Sequence, residues 1–267
     1  MDRRVTRNGW GVQSPLPRVL ANFLRGTAFL AACLAIPSFE TLPCRASVQF
    51  SVVSGSRAAL ADFDLVGSEL RVILTNTSTA DVLVPIDVLT GVFFDVPAPV
   101  ALTRLSATLT AGSSVLFDSA PAGGIVGGEW AYKAGLAGAP QGAKSGISSA
   151  GLGLFGSGDN FPGANLQGPA SPNGLQYGIT SAGDNPATGN TPVTGANALI
   201  KNSVTFAFSF SQSFSLDEIS NVSFQYGTAL NEPNITTNSH APEAASMVVW
   251  GLLIVCCQSG ARRQRCL

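Results

Sequence analysis

The chain has 267 residues, 45% of them hydrophobic and 12% charged, with a formal net charge of −1 and a mean hydropathy of +0.28. Soluble domains are about a quarter charged, so roughly half of the usual charge is missing, and without a basic stripe there is nothing to neutralise a phosphate backbone, which argues against a nucleic-acid partner. The 29 Gly and 16 Pro lack the triplet period of a collagen, while abundant Val, Leu, Ile and Phe argue against wholesale disorder.

Charge and cysteine both collect at the ends. Six Arg lie in the first 46 residues and three in the last six, whereas residues 47–240 hold six basic against thirteen acidic side chains, a net of −7. Cys33 and Cys44 precede this stretch, and Cys256, Cys257 and Cys266 follow it. No disulfide therefore staples the middle, and 194 residues are enough to bury a core without one.

Residues 1–46 read as a signal peptide. Arg18 and Arg25 precede the apolar run TAFLAACLAI (27–36), and Cys44-Arg45-Ala46 supplies small residues three and one before a cleavage point. A run of ten is too short for a helix that spans about 30 Å of hydrocarbon. Leu30-Ala31-Ala32-Cys33 also fits a lipoprotein cleavage box.

Residues 47–235 read as an all-β surface domain, an antiparallel β-sandwich of jelly-roll type. In NSVTFAFSF (202–210), Val204, Phe206, Phe208 and Phe210 alternate with small polar residues, the period of a strand with one buried face. The same alternation marks 48–52 and 70–75, and Val66-Gly67-Ser68-Glu69 has the form of a tight hairpin turn. Further strands are expected at 58–66, 82–89, 92–96, 102–110, 115–118, 129–132, 175–180 and 222–226, with Pro85 making 82–89 an edge or a bulge. Only 216–220 suggests a helical turn, and strands this closely spaced without helices favour a sandwich. Between them, residues 119–200 hold 19 of the 29 Gly and are expected to be long loops packed on the sandwich, anchored by Trp130, Tyr132, Phe155, Phe161 and Tyr177.

Residues 236–243 form a polar linker that ends in Pro242-Glu243. Beyond it, 244–261 is apolar and would reach about 27 Å as a helix, the length of a transmembrane segment, and 262–267 is a basic tip that would stay cytoplasmic. This order of Pro-Glu, apolar segment and arginine cluster resembles the PEP-CTERM sorting signal, with Ala244 in place of the second proline. The resemblance implies processing by an exosortase that recognises Pro242 and Glu243, membrane association through the C-terminal segment before processing, and no chemistry by the chain itself.

The segments LTNTSTADVLVPIDVLTGVFFD (74–95), GGEWAYKAGL (127–136), GISSAGLGLFGSGDNFPGANLQGPASPNGLQYGITSAGDNPATGNTPV (146–193) and NVSFQYGT (221–228) resemble the XDD exosortase-dependent surface proteins, the group numbered fourth. Membership would imply an exported bacterial surface or extracellular-matrix protein. It carries no established molecular activity.

Candidate chemistry is sparse. His240, the one histidine, lies in the linker, so a His-based triad or zinc site has no partner in the domain. Glu129 with Asp159 or Asp184 would form a glycosidase pair only if folding set them at the right separation. Asp159-Asn160 and Asp184-Asn185 place oxygen side chains in Gly/Pro loops, the ligand type of calcium and equally that of Asx turns. Trp130, Tyr132 and Tyr177 offer a sugar-stacking platform for extracellular polysaccharide, or else anchor their loops. Asn76, Asn221 and Asn234 open N-x-Ser/Thr sequons. The sequence thus points to a non-enzymatic exported protein without a cofactor, with a calcium- or carbohydrate-binding adhesin and an Asp/Glu hydrolase as the alternatives.

Overall fold

The structure is a computed structural model that describes residues 47–195, 197–237 and 241–242. The expected signal peptide, the segment 244–261, the basic tip and Glu243 lie outside the described residues. Among the described residues, no helix is long and apolar enough to cross a membrane.

The chain opens with three strands joined by two-residue loops: β1 (Ser47–Ser54), β2 (Arg57–Val66) and β3 (Glu69–Asn76). Gly67 stands at φ 63° in the second loop, a conformation glycine adopts without steric cost, so the hairpin expected there forms. Residues 82–89 do not form the expected strand. Pro85 starts a 3-10 turn over Pro85–Asp87, because its fixed φ suits a turn and it has no N–H to give a ladder. β4 (Leu89–Asp95) begins only after that turn, followed by β5 (Leu102–Leu109) and β6 (Ser114–Leu116).

The glycine-rich stretch is more than loops. It contains β7 (Ala131–Ala134), β8 (Ser145–Ser148), β9 (Ile179–Thr180) and the start of β10 (Leu199–Lys201). The expected strand 129–132 shifts because Gly127–Glu129 closes a 3-10 turn, and of 175–180 only the last two residues pair. β11 (Ser203–Phe210), β12 (Ser220–Tyr226), β13 (Asn234–Thr236) and β14 (Ala241–Pro242) complete the order, and the helical turn near 216 is a 3-10 turn over Leu216–Glu218.

Two sheets result, one in the order β14-β1-β2-β3-β11-β5 and the other β13-β12-β4-β9-β10-β6, with β8 also on β4 and β7 on β8. Apart from the parallel pair β9/β10, the ladders are antiparallel. β1, β2 and β3 run as a meander within one sheet, with β14 beside β1. The fold is therefore all-β, with antiparallel sheets packed as a sandwich.

One core lies between the sheets. Phe50, Phe63, Leu70, Val72, Phe206 and Phe208 from the first meet Val92, Phe94, Val222 and Phe224 from the second, with Phe63 edge-on to Phe94 at 5.2 Å. β4 is buried on both faces. Val92 and Phe94 point into this core, while Phe93 joins Leu136, Leu152 and Phe155 in a smaller cluster built by the glycine-rich stretch. That stretch thus covers the outer side of the second sheet as well as extending it.

Candidate functional site

Of the sequence-selected residues, Glu129 and Trp130 lie at the turn Gly127-Gly128-Glu129-Trp130 and Asn160 bonds to it. A Cβ on Gly128 would stand 1.9 Å from the Ala164 carbonyl oxygen, and one on Gly127 would stand 2.0 Å from that of Pro162. Only glycine lets the 162–164 backbone lie directly on this turn.

That contact brings the next segment over Glu129, whose side chain is fully buried. Glu129 Oε1 accepts from the Leu166 N–H at 2.5 Å and the Gln167 N–H at 3.1 Å. The Asn165 amide, oriented to satisfy its neighbours, donates to the same oxygen at 2.9 Å. Oε2 accepts from the Ser171 hydroxyl. A carboxylate with this many donors is compensated without a cation, so Glu129 works here as the anchor of the 165–171 loop. The loop is stitched onward by Gln167, whose Oε1 accepts from the Ala198 N–H at 2.8 Å, just before β10.

The aromatic residues are interior. Trp130 is fully buried with its ring 5.1 Å from Phe206, and Tyr132 stacks edge-on to Phe208 at 4.8 Å. Tyr177 is also buried, and its hydroxyl donates to Asp118 Oδ2 at 3.2 Å. Burial pushes the Tyr132 hydroxyl above its ordinary value of 10, opposed by a contact with Ser145 and the charge of Arg104. A stacking platform for sugars needs exposed ring faces, so the structure corrects that expectation for Trp130, Tyr132 and Tyr177: the rings hold the glycine-rich stretch to the sandwich.

The two Asp-Asn pairs are loop ties. Asp159 Oδ2 accepts from the Gly156 N–H at 2.9 Å and stands 3.6 Å from Lys133 Nζ. Asn160 Nδ2 donates to the carbonyls of Gly128 (2.7 Å) and Ser171 (2.8 Å), pinning the segment beside the Glu129 turn. Asp184 Oδ1 accepts from the buried Val82 N–H at 2.8 Å. Asn185 Oδ1 accepts from the Ala187 N–H at 3.2 Å, the bond of an Asx turn. Among the described residues, no group of three His, Cys, Asp or Glu side chains comes together to hold a metal ion. The calcium pattern is thus answered at both pairs by backbone capping.

Pro242 lies in β14, its Cα paired with Val48 of β1, and Ala241 pairs with Gln49. The strand that ends at Pro242 thus lies beside the strand that begins at Ser47. Of the sequons, Asn76 is buried with Nδ2 bonded to the Ile179 carbonyl at 3.1 Å, which leaves its amide unavailable to a glycan.

The cluster around Glu129 includes Ser171, Gln176 and Gln167, which sequence reasoning did not select. Their spacing carries no periodic signal; only the paired glycines before Glu129 mark a close backbone approach. Compared with known proteins, the chain matches no family model, no curated protein and no solved structure.

Proposed function

We propose that this chain is an exported, non-enzymatic surface or extracellular-matrix protein of a bacterial envelope, delivered by the leader 1–46 and processed by an exosortase at Pro242-Glu243. The observation that carries this reading is the order of parts in the sequence: a basic and apolar leader, a domain without cysteine, a Pro-Glu pair, an apolar segment and an arginine tip. The segment 244–261 acts as a membrane stop that presents the pair for cleavage, and the arginine tip stays on the cytoplasmic side. The folded domain is compatible with tethering at one end, because Val48 near the start of β1 and Pro242 in β14 are cross-strand partners. Its role outside the cell is structural or adhesive.

Mass spectrometry of the mature protein tests the reading. Cleavage near Ser47 and near Glu243 is expected in cells with an active exosortase. An intact tail through Leu267 in the same cells would contradict the sorting step, and retention of the leader in a cytosolic fraction would contradict export.

A further inference from the structure

We propose that Ser171 and Gln176 join through an intramolecular ester, formed with Glu129 as the base, which cross-links a domain that has no cysteine between its ends. All three side chains are withdrawn from solvent, with relative exposures of 1% for Ser171, 3% for Gln176 and 0% for Glu129. The Ser171 hydroxyl has two acceptors and one proton: it contacts Glu129 Oε2 and lies 3.0 Å from Gln176 Oε1. Because a C=O bond is about 1.2 Å long, Ser171 Oγ is no more than roughly 4.2 Å from Gln176 Cδ, and bond formation needs the two atoms to close to about 3–3.5 Å.

The chemistry is that of a nucleophile beside its base. Glu129 Oε2 takes the hydroxyl proton as Ser171 Oγ forms a bond to Gln176 Cδ. The tetrahedral centre then breaks its Cδ–Nε2 bond, and Glu129 returns the proton to the departing nitrogen. One ammonia leaves, one ester forms, and no oxidant or further reactant is needed. Before the step, Gln176 Nε2 donates to the Gly168 carbonyl at 2.7 Å, which fixes the orientation of the carboxamide. The segment is held at both sides: the Ser171 carbonyl accepts from Asn160 Nδ2 at 2.8 Å, and the Tyr177 N–H donates to the Ala198 carbonyl at 2.7 Å. Exclusion of water protects the product from hydrolysis.

The test is the mass of the tryptic peptide spanning 145–201 from the purified full chain, denatured before digestion; this peptide holds both residues and has no internal Lys or Arg. The expected result is a mass lower by one ammonia, with fragmentation placing the link between positions 171 and 176, and full recovery of the unlinked mass in Ser171→Ala. Glu129→Gln is expected to leave the peptide unlinked while the chain still folds. A wild-type peptide at its unmodified mass overturns the proposal. So does an ammonia loss that persists in Ser171→Ala, since that assigns the loss elsewhere, for instance to ring closure at Asn173-Gly174.

Discussion

The six-stranded sheet and the glycine-rich stretch 119–200 reach order by different physics. In the sheet, β1, β2, β3 and β11 run eight to ten residues each in continuous register, so backbone ladders and one alternating apolar face fix the structure. Among the described residues of the glycine-rich stretch, no strand exceeds four residues, and order comes from side chains that bond to backbone: Glu129, Asn160, Gln167 and Asp184. A sheet of the first kind tolerates change at many solvent-facing positions. A loop system of the second kind concentrates its stability in a few side chains.

Substitutions sharpen that contrast. Trp130→Ala removes a fully buried ring that ties the stretch to Phe206 of the first sheet; it is expected to cost about 3–5 kcal/mol, read as a lower denaturant midpoint, and an unchanged midpoint would break the comparison. Next comes Glu129→Ala, which leaves the Leu166 and Gln167 N–H groups without their acceptor. Its expected cost is about 3 kcal/mol, since each unsatisfied buried donor costs about 1–3 kcal/mol, and proteolysis should nick within 162–176 before the strands of the first sheet.

Gly128→Ala has a smaller effect of about 1–3 kcal/mol, because the new methyl meets the Ala164 carbonyl and the backbone must shift. Thermal melting measures it, and a wild-type melting temperature would show that the close approach is not needed.

The smallest effect belongs to Tyr226→Phe. Among the described residues the Tyr226 hydroxyl is buried without a hydrogen-bond partner, so its removal should stabilise the fold at pH 7 by about 1 kcal/mol, the lower end of what an unsatisfied buried polar group costs. Burial, more than the opposing charge of Arg57, raises the Tyr226 pKa above the ordinary value of 10.0. The unfolded chain therefore ionises first. This contribution is complete below about pH 10 and is lost as the pH rises further. Melting temperatures between pH 8 and 11 should fall less steeply in Tyr226→Phe than in the wild type; parallel curves would refute the assignment.

Sequence reading succeeded and failed along the same divide. The strand at Ser203–Phe210 and the hairpin at Gly67 were legible because alternation and positive-φ turn chemistry are local signals. β8, with the sequence SGIS, was not legible, since small residues buried on both faces leave no period to read. At residues 82–89 the apolar run suggested a strand, and the proline turned it into a 3-10 turn. The candidate site divided similarly. Trp130 and Tyr132 were legible as important residues, but whether a ring faces a ligand or Phe206 is decided by tertiary packing. Asp159 and Asp184 were legible as loop carboxylates, while the amides they cap, Gly156 and Val82, are set by contacts that no spacing encodes.

Hydrogen exchange at the amides of Leu166 and Gln167 tests most directly that the glycine-rich stretch is a built part of the fold. Both N–H groups bond to a fully buried carboxylate, so the account predicts protection in the wild type and its loss in Glu129→Ala while the amides of β2 and β3 stay protected. Exchange at the rate of an unfolded peptide in the wild type would contradict it.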